Sequence, residues 1–114
     1  MRHAAILLAL CVSAPLRAAE PGDKVYAGEE AAALRCANTV ALTAVALSEE
    51  GRLPEAEKNV MLGITVLILD RHVSGTWEQK TAALEVVRDR RDAYETVQDF
   101  QRLAEKCLKQ FPIN

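Results

Sequence analysis

Ten consecutive residues, Val60-Met61-Leu62-Gly63-Ile64-Thr65-Val66-Leu67-Ile68-Leu69, carry no charge and a single polar side chain, Thr65. Such a run predicts an element covered on every side, with the rest of the chain wrapped around it. Its β-branched Val60, Ile64, Val66 and Ile68 would also suit a buried strand. The flanks decide for helix. Pro54 with Glu55 and Glu57 is a helix start, Asp70-Arg71-His72 continues the element, and Ser74-Gly75 ends it. No other stretch offers a convincing strand partner, so the predicted fold is all-α.

The remaining helices follow from their ends and their apolar spacing. Gly28-Glu29-Glu30 opens a helix with acids in its first turn, and Gly51 suits the left-handed position that closes it. Its apolar seam is Ala33, Cys36, Val40, Ala44 and Leu47, at steps of three and four. Arg35, Asn38 and two threonines argue against a membrane span over 31–47. Thr76-Trp77-Glu78-Gln79 has the form of a capping box, with Trp77 expected to close the helix entry against the core. Ala82, Ala83, Leu84, Val86 and Val87 are the expected inward residues behind it. A second seam, Ala93, Val97, Phe100, Ala104, Cys107 and Phe111, carries the helical spacing to Pro112.

The N-terminus reads as an export signal. Arg2 and His3 form a short basic start, Ala4 to Val12 an apolar run, and Ser13 to Ala19 a small-residue close with cleavage after Ala18 or Ala19. Nine apolar residues are too few to span roughly 30 Å of hydrocarbon. The bulky leucine of Leu8-Ala9-Leu10-Cys11 stands against lipid attachment at Cys11. Residues 20–27 predict a flexible leader, and 28–111 a single helical domain. Periplasmic or secreted placement follows.

The whole chain of 114 residues has a formal charge of −2, and losing Arg2 and Arg17 with the signal takes it to −4. That sign, and five aromatic residues in all, argue against a nucleic-acid partner. Once Cys11 leaves with the signal, Cys36 and Cys107 remain, and in an oxidising compartment they predict one structural disulfide.

That bridge constrains topology. A single straight helix from Thr76 to Gln110 would hold Cys107 tens of ångströms from Cys36 in an up-down-up arrangement, whereas a disulfide needs α-carbons within about 7 Å. A turn near Tyr94–Thr96, with Thr96 as cap, brings a fourth helix back beside the first. The expectation is a small up-and-down four-helix bundle over roughly 28–49, 54–73, 77–93 and 97–110. The alternative is three helices with a long third.

Catalytic signals are absent. His72 is the one histidine left after the signal and reads as a cation at a helix end. Cys36 and Cys107 are too far apart in sequence for a C-x-x-C redox pair. Paired acids sit at helix ends, and no glycine frame suits a phosphate loop. No catalytic, cofactor or metal residue is assigned. The one surface feature is Arg88-Asp89-Arg90-Arg91-Asp92. Its plain reading is a solvated helix face with Arg88 paired to Asp92; its sharper reading is an interaction patch of Arg88, Arg90 and Arg91 for an acidic partner. The function expected is an exported, non-catalytic, protein-binding or accessory/inhibitor module of the cell envelope. The alternative is a carrier of an apolar small molecule between its helices.

Overall fold

The computed structural model describes residues 24–114 and contains four α-helices: α1 Gly28–Glu49, α2 Glu55–His72, α3 Trp77–Asp89 and α4 Ala93–Gln110. The fold is an all-α four-helix bundle. The proposed signal and residues 20–23 of the leader lie outside the described residues. Residues 24–27 have no regular structure but are tied to the α2–α3 turn, where the Tyr26 hydroxyl donates to the Ser74 carbonyl at 2.6 Å.

The helix ends obey local chemistry. After α1, the Gly51 N–H reaches the Ser48 carbonyl and the Arg52 N–H the Leu47 carbonyl, at 3.0 and 2.8 Å. This paired closure requires a left-handed residue, and Gly51 supplies it at φ 69°. At the start of α3 both halves of the capping box form: Gln79 N–H donates to Thr76 Oγ1 at 3.2 Å, and Thr76 N–H to Gln79 Oε1 at 2.9 Å.

α1 is the spine. Ala33, Leu34, Cys36, Ala37, Asn38, Val40, Thr43 and Ala44 are all buried, and at about 100° per residue they spread round more than half of its circumference. α2, α3 and α4 each pack against α1, and no other pair of helices makes comparable contact among the described residues. By length and composition α1 alone among the described helices could cross a bilayer, and it is the helix that the other three cover. Ile68, Leu69 and Val73 from α2 and its exit, and Phe111 after α4, complete the core with the α1 residues.

Two expectations are corrected here. The decapeptide of α2 is not covered on all sides, because α2 has only α1 for a substantial neighbour. Thr65, Ile68 and Leu69 are buried, whereas Val60 and Val66 are 62% and 45% exposed. The last turn of the bundle is also placed differently. α3 stops at Asp89 and α4 starts at Ala93, four residues earlier than expected, because Asp92 is the cap: its Oδ1 accepts the Glu95 N–H at 2.9 Å. Thr96, expected as that cap, is instead buried inside the first turn and donates its hydroxyl to the Asp92 carbonyl at 2.7 Å.

Candidate functional site

Cys36 in the third turn of α1 and Cys107 near the end of α4 stand at disulfide distance, with α-carbons 5.7 Å apart. The antiparallel return of α4 places them there, as the topological argument requires. Cys36 is buried and Cys107 half-buried, so the pair belongs to the core rather than to an open surface.

The arginine cluster does not form one helix face. Arg88 is in the last turn of α3, Arg90 and Arg91 are in the turn, and Asp92 is the α4 cap. The expected Arg88–Asp92 pair is therefore not made. Arg88 Nε donates to Asp89 Oδ1 at 3.3 Å, and Arg91 reaches across to Asp99 at 2.7 Å. Asp99 also pairs with Arg102. Arg90 has no carboxylate partner among the described residues.

His72, the last residue of α2, lies with Nε2 2.7 Å from the Pro112 carbonyl oxygen, a contact that makes this nitrogen the donor. Its ring meets Phe111 edge-on, centroids 5.4 Å apart. The histidine thus fastens the C-terminal tail to the bundle. Trp77, expected against the core, is 48% exposed at the first position of α3.

The feature that sequence reasoning missed is a groove of about 660 Å³ between α1 and α3, reached also by residues 24–26. Of the three helices on the spine, α3 packs least extensively against it. Ala83, Leu84 and Val87 pack toward the core, while Ala82 and Val86 remain exposed and face the gap. Leu34, Ala31 and Val87 add to an apolar lining. Around it stand Lys24, Arg35, Arg90 and Arg91, with no carboxylate among the lining residues. A smaller hollow of about 250 Å³ lies beside Cys36 and Cys107 and shares Arg35 and Arg91 with the groove.

At the far end of the groove the polar groups satisfy one another. Glu30 Oε2 accepts the Ser74 N–H at 2.6 Å, and Lys24 Nζ donates to Ser74 Oγ. The Ser74 backbone donor, helped by the Ser74 side chain, holds the Glu30 carboxyl below the usual carboxylate range. Burial, with Glu30 nearby, pushes the Tyr26 hydroxyl up. Among the described residues no group of three or more His, Cys, Asp or Glu could hold a metal ion. The chain matches no protein-family model, no curated protein and no solved structure.

Proposed function

We propose that the chain is a small exported, non-catalytic helical binding protein that carries an apolar small molecule between α1 and α3. The observation that supports this reading best is the groove itself. Its volume falls in the range of small-ligand sites, and its walls are mostly aliphatic with a few polar groups at the rim. Export to the periplasm or beyond draws support from the signal-like N-terminus and from two cysteines at disulfide distance.

A second reading, an accessory or inhibitor module for an envelope or secreted protein, draws on the exposed Arg88, Arg90 and Arg91 at the α3–α4 turn. Native mass spectrometry of the protein recovered from the exported fraction separates the two. A non-covalent small-molecule adduct is expected. A clean apo mass, together with one protein partner recovered in stoichiometric amount, would overturn the carrier reading in favour of the second.

A further inference from the structure

We infer that the α1–α3 groove takes a single-chain amphiphile with one negative charge, its head at Arg35 and Arg90 and its apolar chain along Leu34, Ala83, Val86 and Val87. This rests on the carrier reading and adds to it the sign of the charge and the direction of insertion.

The sign comes from the lining. The whole chain has 16 acidic against 14 basic side chains, yet the groove gathers four cations and no carboxylate. Clustered cations beside apolar walls repel one another, and that cost is relieved when an anion arrives.

The direction comes from how the two ends differ. Lys24 already donates to Ser74, and the Glu30 carboxylate that accepts from the same residue offsets its charge. At the other end Arg91 is engaged by Asp99, whereas Arg35 and Arg90 have no carboxylate partner among the described residues. Both are exposed on the groove. Arg35 and Arg91 also line the hollow beside the cysteines, which sets these two at the same end of the groove, and Arg90 adjoins Arg91 in the α3–α4 turn. Planar guanidinium groups bind a carboxylate through two parallel N–H···O contacts, which favours a carboxylate head over a neutral one. Between the ends, the aliphatic wall supplies the surface that an acyl chain would bury.

Free fatty acids and the anionic lipids of a membrane share this head-and-chain chemistry. Titration calorimetry on the full chain distinguishes them, with monomeric laurate, dodecanol, dodecyltrimethylammonium and vesicles of anionic phospholipid as probes. Laurate is expected to bind one to one and at least about tenfold more tightly than dodecanol, the scale of one charge-assisted contact. The cationic probe is expected not to bind. In the double variant Arg35→Gln/Arg90→Gln the laurate preference over dodecanol is expected to disappear, with the thermal midpoint not lowered because both side chains are exposed and their removal relieves repulsion. Equal binding of laurate and dodecanol, unaltered by the double variant, overturns the head assignment and leaves the carrier reading standing. Binding of vesicles alone, or of no probe, overturns both.

Discussion

Glu30 joins two parts of the chain that are far apart in sequence, since its carboxylate accepts from the backbone of Ser74, 44 residues away. A carboxyl held below its ordinary value in the folded state adds stability that is complete above the unfolded value, about 4.3, and is lost as pH falls through the lower folded one. Glu30→Gln should therefore melt below the parent at pH 7, and the gap between the two midpoints should shrink as the pH is taken into the acid range below the ordinary carboxylate value. A gap that stays constant across that range would show that the carboxylate charge plays no part. Thr43 presents the opposite situation. It is fully buried on the spine and its hydroxyl has no hydrogen-bond partner among the described residues, unlike Thr39 and Thr65, which bond back to their own helix. Thr43→Val keeps the shape and removes the orphan, so a gain of about 1 kcal/mol is expected in denaturant unfolding.

At the scale of elements, two glycines on exposed backbone should respond to alanine with opposite signs. Nothing lies within 4 Å of a Cβ added at either Gly51 or Gly63, so space does not decide. Gly51 sits at φ 69°, where an L side chain is strained, and Gly51→Ala should cost about 1 kcal/mol. Gly63 is in the interior of α2, and Gly63→Ala should gain about 0.5–1 kcal/mol. Chemical denaturation of both variants checks the pair. The Gly51 stop and the Thr76 capping box were legible in the sequence because each depends on residues within one turn. Asp92 obeys the same capping rule but was hidden in a run of charges that reads equally well as a solvated face. The cover of α2 was misjudged for another reason: ten uncharged residues mark an apolar helix without saying how many neighbours it has. The groove was illegible altogether. It depends on how closely α3 packs on α1, which no local pattern encodes, and Arg35 stands out in sequence only as an interruption of an apolar helix.

Across the whole molecule, the Cys36–Cys107 pair links the first helix to the last and would close a loop of 72 residues, counted from a separation of 71. By the loop-closure argument such a bridge adds about 4 kcal/mol, a large share of the roughly 5–15 kcal/mol that holds a domain of this class together. Cys36→Ser should lower the thermal midpoint under non-reducing conditions, and reductant should bring the parent down toward the variant. An unchanged midpoint would mean that the pair carries no covalent link. The antiparallel arrangement behind this prediction was deduced from the two cysteines, since a single long third helix could not have brought them together.

One asymmetry of the architecture bears on how such a chain can diverge. α2, α3 and α4 all take their bearings from α1 and hardly touch one another. A residue gained or lost in the turns 50–54 or 90–92 leaves the docking positions on the spine in register, whereas 73–76 also carries Val73 of the core and the Ser74 tie to Glu30. A single residue inserted between Cys36 and Val40 would swivel the remainder of the spine by about 100° and turn every later docking position away from its mate. Length variation among descendants of this sequence is therefore expected to collect in the turns 50–54 and 90–92 and to spare α1.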